Sequence, residues 1–318
     1  MAKMTIDALK TFVATYVASA KQAGAWSAST DNLLKLLDKV GQQITLDGTF
    51  ADKLPELDGN DLPLGKTIEE WFVDLVLPQT YDATGANALA PSYPSVEDAA
   101  YSYSLGRRVI PTTVPYDSVE RAALSASDAG AMVAKITERL TNSYSLYTYQ
   151  QKKQLLANLV SKAGAAANKA TLVQTLAIPA DTTTSEAFIK QVKADVEAAS
   201  FANEGHSLNN NLIGAAPSLI LVIKKGVMPV LEVEALAGAF HAENLAIPAT
   251  IKVVDDFGDA DSKVYAMLID PRGVKLHRGY HAIRDNANGA GDFMNYFDHS
   301  ENTGFISKNT FVKVYEAA

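Results

Sequence analysis

Leu62-Pro63-Leu64-Gly65-Lys66-Thr67-Ile68-Glu69-Glu70-Trp71-Phe72-Val73-Asp74-Leu75 contains the second half of a phosphate-binding loop and lacks the first. Such a loop needs a glycine, four residues, then Gly-Lys-Ser/Thr, so that a tight turn aims backbone N–H groups at phosphate ahead of a helix start. Gly65-Lys66-Thr67 supplies the ending. The nearest upstream glycine, Gly59, stands one position too far away, and Pro63 removes an amide that the cradle would use. No apolar strand leads in, since Asp58-Gly59-Asn60-Asp61 reads as a turn. A nucleotide site built on these residues fails on context.

Read as one unit, Pro63-Leu64-Gly65-Lys66-Thr67-Ile68-Glu69-Glu70 resembles a signature segment of the major capsid proteins of small short-tailed phages of Gram-positive hosts. Leu231-Glu232-Val233-Glu234-Ala235-Leu236-Ala237-Gly238-Ala239-Phe240, followed by Ile251-Lys252-Val253-Val254-Asp255-Asp256-Phe257-Gly258, is similar to a helix and strand pair of the same family. Their order and spacing fit it too. The resemblance runs from roughly Asp31 to Phe311, and between those segments it is one of pattern.

This resemblance implies an α+β fold of the Hong Kong 97 type. It divides the chain into an N-terminal arm (1–67), an extended β-hairpin loop (68–116), a peripheral domain with a long spine helix (117–167 and 263–318) and an α/β axial domain (168–262). The function it implies is a major capsid protein of a tailed double-stranded DNA phage, self-assembling into hexamers and pentamers of an icosahedral shell around the packaged genome. Scaffolding and portal proteins are the implied partners. Implied too are DNA held without sequence-specific binding, no membrane, a place in the virion capsid and assembly in the host cytoplasm. No catalytic residue, cofactor or metal is expected, and the chain is not expected to be an enzyme. Two rivals stand beside this reading. An encapsulin-like cargo nanocompartment shares the fold, and a nucleotide-binding enzyme using Gly65-Lys66-Thr67 belongs to a different class.

One departure matters. Relatives tend to carry a basic stretch just before the Pro-Leu-Gly segment, whereas Leu54-Pro55-Glu56-Leu57-Asp58-Gly59-Asn60-Asp61 is acidic, so its contacts are expected to differ. Some relatives continue into an immunoglobulin-like domain, which this chain is expected to lack. Some join subunits by a lysine–asparagine isopeptide bond. Lys66 and several C-terminal asparagines are present, but nothing in the sequence pairs them, and no crosslink is expected.

The composition is ordinary for a globular chain: 318 residues, 47% apolar and 20% charged, enough for two domains. The longest apolar run, Leu219-Ile220-Leu221-Val222-Ile223, is far too short to span a bilayer, and no charged and apolar leader opens the chain; a soluble protein made without export is expected. With Cys 0, disulfides, thiolate nucleophiles and cysteine-ligated metals are excluded. A formal charge of −8 leaves no basic excess with which to neutralise phosphates. The acidity would let a duplex slide against a shell lining, or would simply keep the protein soluble.

Periodicity predicts the elements. Ile6, Leu9, Phe12, Val13, Tyr16 and Val17 fall at helical spacing, as do Leu33, Leu34, Leu36, Leu37 and Val40 after an Asp31 cap. The Ala/Ser/Gly-rich link from Ala18 to Thr30 suggests an arm that finds its core on a neighbour. From Ile68 to Tyr116 two long strands are expected around a loose Tyr81 to Pro94 segment, forming a hairpin whose edges need a second subunit. Ala129, Met132, Val133, Ile136 and Leu140, continued by Leu155, Leu156, Leu159 and Val160, mark the spine helix, with Ser127 as its cap, Gly164 at its end and a bend at Tyr144, Tyr147 and Tyr149. Those tyrosines are expected at an interface rather than around a cofactor. Thr183-Thr184-Ser185-Glu186 reads as a capping box for a helix burying Phe188, Ile189, Val192 and Val196. A strand over Leu219 to Ile223, a helix over Val230 to His241 and a strand over Ile251 to Val254 follow. Val264 to Ile269, the turn Asp270-Pro271-Arg272-Gly273 and Val274 to His277 predict a hairpin, and Phe311 to Tyr315 a last strand closing the peripheral sheet.

Other residue spacings invite other chemistry without completing it. His277 and His281 stand four apart, as zinc ligands on a helix would, but Arg278 and Gly279 argue against a helix and no metalloprotease glutamate accompanies them. Asp255, Asp256, Asp259 and Asp261 suggest calcium, and Asp256-Phe257-Gly258 imitates a kinase magnesium motif, yet both lack their companion residues. A solvated acidic turn is the expectation. Gly-x-Ser-x-Gly does not occur.

Overall fold

A computed structural model describes residues 50–63, 67–73, 81, 84–85, 96–101, 103–115, 126–202, 205–231, 247–258 and 263–318. The two expected arm helices, Gly65-Lys66 of the opening stretch and most of the expected helix after Val230 lie outside those residues. The chain separates into two compact units. One comprises Met1–Asp52, Gly106–Thr148 and Tyr280–Glu301, the other Lys53–Leu105, Tyr149–Gly279 and Asn302–Ala318.

The second unit is built on a five-stranded mixed sheet. In chain order its elements are the hairpin strands β1 (Ile68–Val73) and β2 (Val96–Tyr101), β4 (Val173–Leu176), β5 (Ile220–Lys224), β6 (Thr250–Val254), β7 (Val264–Ile269) and β10 (Val312–Ala317), and the sheet order is β4-β10-β7-β5-β6. β7 is an unbroken apolar run and β5 is apolar up to its last residue, Lys224, which suits strands covered on both faces. By register, Leu221, Ile223, Ala266, Leu268 and Tyr315 share one face. They pack on the helix Thr182–Ala199, which contributes Phe188, Ile189 and Val192. That helix starts earlier than the sequence suggests. Asp181, not Thr183, is the cap: its carboxylate accepts the Thr184 N–H at 2.8 Å while the Thr184 hydroxyl accepts the Asp181 N–H at 3.1 Å.

The last strand pairs elsewhere than expected. β10 lies between β4 and β7, inside the α/β sheet, rather than closing a peripheral sheet. β7 is also a member of that sheet, and its place explains a second correction. The turn at Asp270 forms, with Gly273 N–H donating to the Asp270 carbonyl at 3.0 Å, but no hairpin follows. Both edges of β7 are already occupied by β5 and β10, so the next strand, β8 (Val274–Asn288), leaves for another sheet.

That other sheet has the order β3-β9-β8, with β3 covering Tyr103–Pro115 and β9 covering Phe293–Ile306. The part of the expected hairpin from Tyr103 to Pro115 therefore pairs with β9, and β1 and β2 form the hairpin. β8 and β9 are joined by Gly289-Ala290-Gly291-Asp292, where the Asn288 side-chain oxygen accepts two backbone N–H groups at 3.1 Å. The spine helix α1 (Ala126–Ala165) runs for 40 residues without interruption, so the tyrosines do not separate two helices. Ser127 and Gly164 fall inside it rather than at its caps.

Candidate assembly interface

The β1–β2 hairpin has one face fastened to its own unit and one face left open. On the fastened face the Glu70 carboxylate accepts hydrogen bonds from Tyr101 at 2.7 Å and from the Ser307 hydroxyl. Glu97 accepts from the Asn209 and Asn211 amides at 3.1 Å each. The Tyr101 ring meets Phe305 edge-on at 5.0 Å, and burial together with Glu70 pushes its phenol well above the usual range. Phe72 packs against the sheet core.

Strand alternation then forces the neighbouring residues outward. Trp71 is 71% exposed, Val73 53% and Val96 57%, with Val73 directly opposite Val96 and Trp71 opposite Asp98. Burying a tryptophan removes on the order of 200 Å² from water, about 5 kcal/mol at 25 cal/mol per Å² before ordering costs. An apolar face of this kind marks an interaction site more often than a solvent face.

The acidic stretch before the hairpin finds its partners inside the chain. Leu54 and Leu57 are fully buried, and Asp58 reaches the Lys152 ammonium at 2.6 Å. Lys152 is a lysine in the apolar stripe of α1. Its side chain is completely buried, and it also donates to the Leu54 carbonyl at 2.9 Å. Glu56 pairs with Lys252 at 2.5 Å, and Lys275 donates to the Glu56 and Asp58 carbonyls. The segment then runs beside β8, with the Gly59 and Leu62 N–H groups bonded to the Leu276 and Arg278 carbonyls at 2.8 Å. Gly59 permits that approach, since a Cβ there would stand 2.5 Å from the His277 ring. The acidic departure is thus matched by lysines on α1, β6 and β8.

The acidic turn after β6 is ion-paired rather than merely solvated. Lys153 of α1 contacts Asp255 at 2.8 Å and Asp256 at 3.1 Å, and the Tyr149 hydroxyl donates to Asp255 at 2.7 Å. Partial burial pushes the Asp255 carboxyl up, but hydrogen bonds from Lys153 and Tyr149 and the lysine charge hold it down at about 2. Gly258, with φ +83°, turns the chain against the Lys153 carbonyl, where a Cβ would stand 3.4 Å away. Asp259 and Asp261 lie outside the described residues.

The histidines lie on strand β8 and take separate partners. His277 Nδ1 stands 2.9 Å from the Asn60 carbonyl, and His281 Nε2 stands 2.9 Å from the buried Asp298 carboxylate. Among the described residues no group of three or more His, Asp or Glu gathers as a metal site would require. The tyrosines expected at an interface are engaged within the chain. Tyr144 is buried and stacks on His281 at 4.4 Å, and Tyr149 is buried against Asp255. Burial raises the Tyr147 phenol, against the opposing pull of Arg108. The outward apolar residues of the hairpin, Trp71, Val73 and Val96, were legible only as one parity of an alternating strand.

Comparison with known proteins adds a consistent set of likenesses. A family model described as Phi29-like phage major capsid protein matches residues 15–313. The major capsid protein of Bacillus phage PZA is 23% identical over 291 residues, 89% of this chain and 62% of the relative. That of Bacillus phage B103 is 22% identical over 275 residues, 84% of this chain and 59% of the relative. The chain thus spans about three fifths of the length of these relatives. Among solved structures, a chain from the capsid structure of Staphylococcus phage Andhra superposes with TM-score 0.65 at 12% identity, covering 87% of each chain.

Proposed function

This chain belongs to the family of Phi29-like phage major capsid proteins, and on that premise we propose that it builds the phage head, self-assembling into hexameric and pentameric capsomers of an icosahedral shell around packaged double-stranded DNA. The reading rests most directly on the β1–β2 hairpin. A strand pair whose inner face is fastened by Glu70, Glu97 and Phe72 while its outer face presents Trp71, Val73 and Val96 is built to reach a neighbour. Identical subunits joined head to tail repeat one such contact around a ring, and many modest contacts then sum to a stable shell. The arm is proposed to cross to an adjacent subunit. The axial unit is proposed to include β7 and β10 along with β4 to β6. Scaffolding and portal proteins are the proposed assembly partners, the virion capsid the proposed location and the host cytoplasm the place of assembly. The work is geometric rather than catalytic.

The test is the mass of the purified full chain by light scattering, with negative-stain images of the same fraction. Capsomer-sized rings or hollow particles are expected. A stable monomer, even with a scaffolding partner added, would overturn the reading.

A further inference from the structure

The three-stranded sheet carries a cation cluster that the fold itself does not use. Alternation along β3 and β8 assigns the two faces. Arg108 is paired with Tyr147 of α1, and His281 stacks on Tyr144 of α1. Arg107, Tyr280 and Arg284 therefore lie on the face turned away from α1. There the Arg107 guanidinium sits 4.6 Å above the Tyr280 ring centroid, and Arg284 reaches the Tyr280 hydroxyl at 3.5 Å. Both arginines are exposed. Among the described residues both turn to the neutral Tyr280, and neither forms an ion pair. Two guanidinium groups converging on one phenol repel each other, and their planar forks suit carboxylates.

The open face of the β1–β2 hairpin has the opposite sign. Glu69 and Asp98 flank Trp71 there, on diagonal positions about 7–8 Å apart. Both are exposed, and neither forms an ion pair among the described residues. Each patch is a like-charge pair beside an aromatic ring, and each is relieved by the other. We propose that the hairpin face Glu69-Trp71-Asp98 of one copy docks on the Arg107-Tyr280-Arg284 face of a second copy, carboxylates to guanidiniums and ring to ring. The proposal rests on the shell reading and names the surface that receives the hairpin.

A charge swap in the full chain tests it, read as assembly by light scattering and negative-stain imaging, with circular dichroism of the unassembled subunit as the check on folding. R107E/R284E and E69K/D98K are each expected to lower the yield of capsomers or shells at least tenfold. The variant carrying all four changes is expected to recover most of that yield. The chain has no cysteine, so D98C/R284C treated with a flexible bismaleimide, long enough to span the reach of the lost arginine side chain, gives an independent readout: a ladder of crosslinked subunits on a denaturing gel. Reversals that assemble like the parent, a folded swap that recovers nothing, or absence of the ladder would each overturn the docking. So would reversals that form normal particles but lose packaged DNA, since the anion would then be a phosphodiester. A parent chain that stays monomeric overturns the shell reading and this proposal with it, whereas an assembling parent with indifferent variants overturns the docking alone.

Discussion

The five-stranded sheet and the β1–β2 hairpin are both β-structure, yet they solve the problem of their exposed faces in opposite ways. In the sheet, β7 is buried at every position and β5 at all but its last, covered by Phe188, Ile189 and Val192 on one side. In the hairpin every second residue faces water, Trp71 and two valines included. The first arrangement buries its apolar area within one chain, while the second leaves apolar area in water. On the proposed shell reading a subunit needs both, since the folded monomer must exist before its contacts can be made.

The comparison breaks if a core change fails to destabilise the free subunit. Phe188→Ala, at the centre of the covered face, is expected to cost about 3–5 kcal/mol of subunit stability by chemical denaturation. Lys152→Ala removes a buried cation from Asp58 and the Leu54 carbonyl, with an expected loss of about 2–3 kcal/mol, tempered because Asp58 is half exposed. Limited proteolysis within 53–62 should accelerate in parallel.

A smaller effect comes from Asp255. Its folded value near 2 lies below the ordinary 3.8, so its contribution is present above about pH 4 and lost as the pH falls toward 2. Solvent screening at this part-exposed pair limits it to under about 1 kcal/mol. Asp255→Asn should flatten the acid limb of a stability–pH curve by that amount. The least effect on the subunit is expected at Trp71. Trp71→Ala should change free-subunit stability by no more than about 0.5 kcal/mol while lowering the yield of assembled particles. Equal losses in both measurements would erase the distinction between the two regions.

Much of this was legible in the chain. The apolar runs at Leu219 to Ile223 and Val264 to Ile269, the buried Leu140, Leu155, Leu156 and Leu159 of the spine helix and the hairpin strand starting at Ile68 all follow from periodicity, because local burial imposes a local pattern. Partner choice was not legible. The hairpin expected after Asp270 failed because β7 had both edges taken, and β10 joined a sheet whose other strands lie far away in sequence. The capping box shifted because Asp181 and Thr184 complete each other as well as a Thr–Glu pair would.

By itself the sequence determined the absence of thiol chemistry, the failed phosphate loop and, through Pro63 to Glu70 and its companion segments, the capsid resemblance with the α+β class it implies. These are properties of residue type and short-range spacing. Only the tertiary structure decided that Lys152 would be buried under the acidic stretch, that Lys153 would hold Asp255 and Asp256, and that Arg107 and Arg284 would meet over Tyr280. Each of these joins residues distant in the chain or on different strands. Long-range pairing is selected by which strand edges and charges remain unsatisfied after the local elements form, and no local pattern records that competition.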